Sequence, residues 1–257
     1  MFQPSPAPNQ TVLPTMYDLP SEEVGDPGLP DEFHHLQAEL LMQTCQSPLY
    51  PAERLFIASD LNLYYDSRRP KLYKRPDWFL SLDVPRFTRQ QDLRWSYVVW
   101  QESVNPFLVI EFLSPGSEAE DLGETVRRID QPPRKWEVYE KFLRIPYYAL
   151  YDRYQNRFRL FCLQGGHYQE VELPDRQFWF KDLALGLRVW EGSYGGVFGL
   201  WLRWYEAENQ WVPTAEERIE KAEEQTKQEQ QRATEAEQKY QDLLAQLQAR
   251  GIDPDTL

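Results

Sequence analysis

The chain has 257 residues, of which 41% are apolar and nine are tryptophan. That is enough for one sizeable α/β core with appendages, and it excludes a chain disordered throughout. The net charge of −13 excludes a protein that lives on nucleic acid through a broad basic face, but not a nuclease whose metal offsets local acidity.

No apolar stretch approaches the roughly 20 residues of a membrane span. Cys45 and Cys162 stand far apart, in no metal or redox spacing. They read as free thiols in a reducing cytosol, so a cytoplasmic protein is expected. Residues 1–29 are Pro-rich, lack the basic start and apolar run of a secretory signal, and read as a mobile lead-in.

The spacing predicts a first helix from Pro30 to Leu41, with Asp31 as N-cap and Phe33, Leu36, Leu40 and Leu41 along one face. Phe56–Ala58, Leu61–Tyr65 and Asp77–Leu82 read as short strands. Just upstream of Asp77, the segment Ser67–Arg75 carries Arg68, Arg69, Lys71, Lys74 and Arg75. It reads equally as a solvated loop or as a set of phosphate contacts. Ser96–Trp100 and Pro106–Leu113 are expected to pair as a hairpin across Ser103-Val104-Asn105.

A polar loop containing Asp121 and Arg127-Arg128 follows, then a helix from about Pro133 to Leu143, stopped by Ile145-Pro146. Strands at 147–152, 157–163 and 168–173 complete the set, with a turn at Gly165-Gly166. The order predicts a mixed β-sheet flanked by helices within residues 30–213. Trp190, Trp201, Trp204, Tyr205 and Trp211 gather around the irregular Gly192–Gly196. They read as an aromatic mini-core capping the sheet, with base stacking as the other use.

From Thr214 to Leu257 aromatics nearly vanish, and Glu, Gln, Ala and Lys dominate. Positions 219, 222, 226, 229, 233, 236, 240, 243 and 247 alternate by three and four, the seam spacing of a coiled coil. They carry Ile, Ala, Thr, Glu, Ala, Ala, Tyr, Leu and Leu, so the seam is weak until its C-terminal end. A solvated single helix and a helix that joins copies into a homo-oligomer both fit. Gly251 marks the stop.

Three charges stand out against this background. In a strand, Glu111 shares a face with Val109 and Leu113, where an unpartnered carboxylate costs several kcal/mol. Lys135 lies on the helix face of Tyr139 and Phe142, away from Glu137, Glu140 and Lys141, and as a cation in the first turn it opposes the helix dipole. Asp77, after Pro76 at the mouth of an apolar run, is weaker alone. Two carboxylates and a lysine are the minimum set for metal-assisted phosphodiester hydrolysis.

Pro76-Asp77, Ile110-Glu111-Phe112-Leu113-Ser114-Pro115-Gly116-Ser117, Lys135-x-x-x-Tyr139 and Ile145-Pro146-Tyr147-Tyr148-Ala149-Leu150-Tyr151-Asp152 together resemble the Uma-type family. That family is abundant in cyanobacteria and belongs to the restriction endonuclease-like PD-(D/E)XK nuclease superfamily. The resemblance covers roughly residues 30–205 and extends to the acidic coiled tail. It implies an α/β core in which Asp77 and Glu111, with the backbone carbonyl of Phe112, hold Mg2+ (Mn2+ as an alternative), and DNA as partner. It implies Lys135 as the catalytic lysine, because Leu113 occupies the place of the usual Glu-x-Lys lysine. Glu39 matches the place of an accessory acid, or is an exposed helix glutamate. The expected function is a Mg2+-dependent endodeoxyribonuclease. The alternative is a nuclease-fold binding or assembly protein without cleavage, oligomerising through its C-terminal helix.

Overall fold

The computed structural model describes residues 31–87, 89–114, 118–124 and 132–249. The Pro-rich lead-in, Arg127-Arg128 and the Gly251 stop lie outside them. The chain divides into two units, residues 1–210 and 211–257.

In the first unit, helix α1 (Glu32–Thr44) begins where the Asp31 carboxylate accepts the His34 amide at 3.1 Å. Among the described residues, β1 (Leu55–Ala58), β4 (Trp78–Leu82), β6 (Leu108–Phe112), β7 (Tyr147–Asp152), β8 (Arg157–Gln164) and β9 (His167–Glu170) form one sheet in the order β1-β4-β6-β7-β8-β9. Its pairs are antiparallel except for β6 with β7. Strand β6 lies inside the sheet, and all five of its residues are buried. This accounts for the apolar run on either side of Glu111, because both faces must be covered. Gly165 and Gly166, at φ 60° and 90°, make the turn between β8 and β9.

The hairpin expected between residues 96 and 113 does not form. Strand β5 (Tyr97–Val98) instead pairs in parallel with β2 (Leu63–Tyr64), whose other neighbour is β3 (Tyr73–Lys74). A single helical turn, α2 (Val99–Glu102), then ends at Ser103 with a left-handed φ of 59°. The chain can thus enter β6 beside β4, where the apolar run gains two partners instead of one.

Two further α-helical segments among the described residues of this unit are short, α3 (Glu118–Asp121) and α4 (Lys135–Glu137), the latter widening into a π turn over Val138–Phe142. Turns of this type are frequent at functional sites.

The aromatic segment is a separate, antiparallel sheet of β10 (Gln177–Phe180), β11 (Leu185–Tyr194) and β12 (Val197–Tyr205). Gly192 stays within β11, where a Cβ would fall 2.0 Å from the Trp190 ring. Only Gly195-Gly196 turns the chain, at φ 56° and 77°, a two-residue hairpin that needs left-handed backbone twice. Gln37 of α1 satisfies the outer side of β12 by donating to Leu202 O (2.8 Å) and accepting from Leu202 N (2.9 Å). Part of the sheet edge is satisfied in this way, and the Tyr151 hydroxyl donates to Leu200 O of the same strand at 2.7 Å.

In the second unit, α5 (Ala215–Ala249) runs for 35 residues. Thr214 and Glu217 start it with a reciprocal capping box, Glu217 N to Thr214 Oγ1 at 3.2 Å and Thr214 N to Glu217 Oε2 at 2.8 Å. Among the described residues, no helix is long and apolar enough to cross a membrane.

Candidate active site

The antiparallel register of β4 and β6 sets Trp78 opposite Ile110. Asp77, one residue before β4, therefore meets Glu111. The two are tied through each other's backbone. Asp77 N donates to Glu111 Oε2 at 3.1 Å, and Phe112 N donates to Asp77 Oδ2 at 2.5 Å. Glu111 is fully buried, while Asp77 keeps about a quarter of its side chain exposed.

Two groups of one helical segment converge on the same carboxylate. Lys135 Nζ lies 3.0 Å from Glu111 Oε2, and the Tyr139 hydroxyl donates to Glu111 Oε1 at 2.8 Å. Their spacing of four residues puts both on one side of the helix. Phe142 departs from that face. The π turn rewinds the register, and its ring packs edge-on against Tyr65 at 5.6 Å. Asp121, at the end of α3, brings a further carboxylate to 3.5 Å from Lys135 Nζ.

The electrostatics follow from burial and crowding. Burial pushes the Glu111 carboxyl up to about 8; Lys135 opposes the rise, and Asp77 and Asp121 add to it. Burial also raises Asp77, against the pull of Lys135 and His34. For Lys135 burial acts downward, but Asp121, Glu111 and Asp77 outweigh it and hold the ammonium well above its ordinary value.

Asp77, Glu111 and Lys135 thus come together, with Phe112 between them through its backbone. The Phe112 carbonyl faces His34 Nε2 at 3.2 Å, and the other ring nitrogen of His34 faces Asp31 Oδ1 at 2.7 Å. His34 Nε2 is also 3.9 Å from Asp77 Oδ2. Glu39 is not part of the site. It is exposed and accepts from Gln43 Nε2 at 3.2 Å. Five residues turn an α-helix by about 500°, so when His34 faces the sheet Glu39 points well away from it.

His34, Asp121 and the hydroxyl of Tyr139 had no assigned role in the sequence reading. Tyr139 could have been found from its i+4 relation to Lys135. His34 shares the buried side of α1 with Ala38, Leu40 and Leu41, and a histidine in line with those apolar residues was the available signal. Asp121 carries no such signal, since it sits in a segment that reads as polar loop.

Among the described residues, no three His, Cys, Asp or Glu side chains group as a ready-made metal cage. The donor set is nevertheless of the kind a hard divalent cation takes, one or two carboxylates with water and phosphate oxygens supplying the rest. Once ionised, the carboxylates of Glu111, Asp121 and Asp77 outnumber the Lys135 ammonium, and such a cation offsets the excess and favours the ionised forms. The residues fit the group.

A model of the Uma2 family, "Putative restriction endonuclease", matches residues 13–191. Among solved structures, the chain is similar to that of "a putative nuclease belonging to DUF820" from Anabaena variabilis, at 15% identity. That match covers 58% of this chain and 72% of the other, with a TM-score of 0.39. No curated protein matches the chain.

Proposed function

The chain belongs to the Uma2 family, and on that premise we propose that it is a divalent-cation-dependent endonuclease hydrolysing phosphodiester bonds of DNA. The observation that carries this reading is the convergence of Asp77, Glu111 and Asp121 around Lys135 at the mouth of the central strands. Asp77 and Glu111 would hold Mg2+ or Mn2+, with the Phe112 carbonyl beside them. The bound cation supplies Lewis acidity toward the phosphoryl oxygens and a nucleophile at neutral pH.

The chain's own groups have separable tasks. Tyr139 and the Asp77 amide fix the Glu111 carboxylate from opposite oxygens. Lys135 keeps its proton, so it acts as a fixed positive charge toward the phosphate and as an orienting donor, not as a base. The absence of lysine at position 113 would favour a protein that no longer cleaves. Lys135 Nζ at 3.0 Å from Glu111 supports cleavage instead, by placing an ammonium at the carboxylate from another element.

For the substrate, the loop between β2 and β3 lies upstream of Asp77, separated from it by β3 and Arg75-Pro76. Arg68, Arg69 and Lys71 are exposed on it. Asp66, itself buried, holds Arg69 Nε at 2.9 Å and Arg68 Nε at 3.7 Å. Its exposed cations would supply the acidic chain with phosphate contacts. The unpaired thiols of Cys45 and Cys162 support a cytoplasmic setting.

The test is cleavage of supercoiled plasmid and of single-stranded DNA with Mg2+ or Mn2+, comparing the wild type with Glu111→Ala. Cation-dependent nicking that vanishes in the variant is expected. Nicking that persists undiminished in Glu111→Ala would overturn the assignment.

A further inference from the structure

We propose that α5 pairs with the α5 of a second copy as a parallel, in-register two-stranded coiled coil. The inference rests on the helix alone and not on the nuclease reading.

The 35 residues of α5 make a rod about 52 Å long at 1.5 Å per residue. Ile219, Tyr240 and Leu243 are exposed along it, although the three-and-four spacing places them on one seam with Ala222, Ala233 and Ala236. Exposed apolar residues in a single stripe on an otherwise charged helix mark a face for another helix.

The charges beside the seam identify that other helix. With Ile219 as the first core position of a heptad, one flank carries Arg218, Gln225, Arg232, Lys239 and Gln246. The other carries Glu223, Gln230, Glu237 and Leu244. One flank has no anion and the other no cation.

In a parallel in-register pair, each flanking residue meets the opposite flank of the second copy five residues on. Arg218 then meets Glu223, Arg232 meets Glu237, Gln225 meets Gln230 and Lys239 meets Leu244. Two attractive contacts result on each side, and none is repulsive. An antiparallel pair that sets Ile219 against Leu243 brings like flanks together, with Arg232 beside Arg232 and Glu223 beside Glu237 of the second copy. The pattern therefore selects a copy of itself and a direction.

Glu229 stands in the seam and faces its own copy in the parallel arrangement. That contact weakens the pair without changing its direction. Pairing in this sense brings residue 214 of both chains to the same end of the rod.

The test uses the full chain in sedimentation equilibrium, with charge variants and a cysteine probe. The wild type is expected to sediment at twice the chain mass, in a concentration- and salt-dependent equilibrium. Glu229→Leu is expected to tighten it by about tenfold or more. Glu223→Arg/Glu237→Arg and Arg218→Glu/Arg232→Glu should each dissociate alone and pair when mixed.

In a Cys162→Ser background, Ala222→Cys should oxidise to a covalent dimer, since core positions of a parallel pair face their own copies within disulfide reach. A monomer at all concentrations would overturn the proposal. So would a dimer indifferent to the charge variants, or one that the Ala222→Cys probe fails to cross-link.

Discussion

Lys135 Nζ lies 3.0 Å from Glu111 Oε2, though the lysine opens a short helix and the glutamate sits within the central strand of the sheet. The helix thus delivers an ammonium to a carboxylate that the strand alone could not have supplied, because position 113, two residues on along the same face, is leucine. Each residue disturbs its own element, one as a charge in an apolar run and the other as a cation at a helix start. Each is the other's compensation.

Removing that compensation should be visible in stability. Lys135→Met leaves Glu111 and Asp121 facing each other without a cation. It is expected to destabilise the metal-free protein by roughly 1–3 kcal/mol at neutral pH, read from denaturant midpoints. The effect is moderated because Lys135 is partly exposed. An unchanged midpoint would mean that the pair contributes nothing in solution.

Burial gives Glu111 a carboxyl that titrates near 8 in the fold instead of its ordinary 4.5. The folded state then holds the proton more tightly than the unfolded state. The contribution of this group to stability is full below pH 4.5 and is lost as pH rises toward about 8. Asp77 is shifted in the same direction. In the presence of chelator the wild type is expected to be less stable at about pH 8.5 than at about pH 6, with a smaller difference in Glu111→Gln. Added Mg2+ should reverse the trend, because the cation binds the charged carboxylates.

The Tyr139 hydroxyl bonds the far oxygen of Glu111 at 2.8 Å. Tyr139→Phe keeps the ring and removes only that bond, so a loss of about 1–3 kcal/mol is expected. A looser carboxylate should lower kcat more than it raises KM. Steady-state cleavage kinetics beside a thermal melt would separate the two effects.

DNA affinity should respond to the loop between β2 and β3 without disturbing the carboxylates. Arg68→Glu/Lys71→Glu is expected to weaken binding of a DNA duplex and to flatten its dependence on salt, by about one unit of slope per lost phosphate contact. Cation affinity measured by titration calorimetry should stay as in the wild type. Unchanged DNA affinity would remove this loop from the interface.

Much of the site was legible because its residues break local rules. Glu111 interrupts an apolar run and Lys135 stands on an apolar helix face, and such conflicts are visible without a structure. Asp121 breaks no rule where it lies, so only the fold brings it to Lys135. Glu39 stayed open between an accessory acid and an exposed helix glutamate, because a helix position cannot be oriented until its buried side is known, and that side carries His34 and Gln37.

The fold shows the same division. Strands β4, β6 and β7 followed from apolar runs, whereas the pairing of β5 with β2 in parallel depends on a contact far along the chain. The hairpin at Gly195-Gly196 was obscured by Gly192. That glycine is required by the Trp190 ring and not by a turn.

The central claim is that Asp77 and Glu111 hold the cation while Lys135 serves the phosphate. Titration of Mn2+ into the wild type, Lys135→Ala and Glu111→Ala, with plasmid cleavage by the same samples, tests it most directly. Lys135→Ala is expected to bind the cation with affinity close to wild type and to cleave nothing, and Glu111→Ala to lose both. Equal loss of cation binding in the two variants, or cleavage surviving in Lys135→Ala, would contradict it.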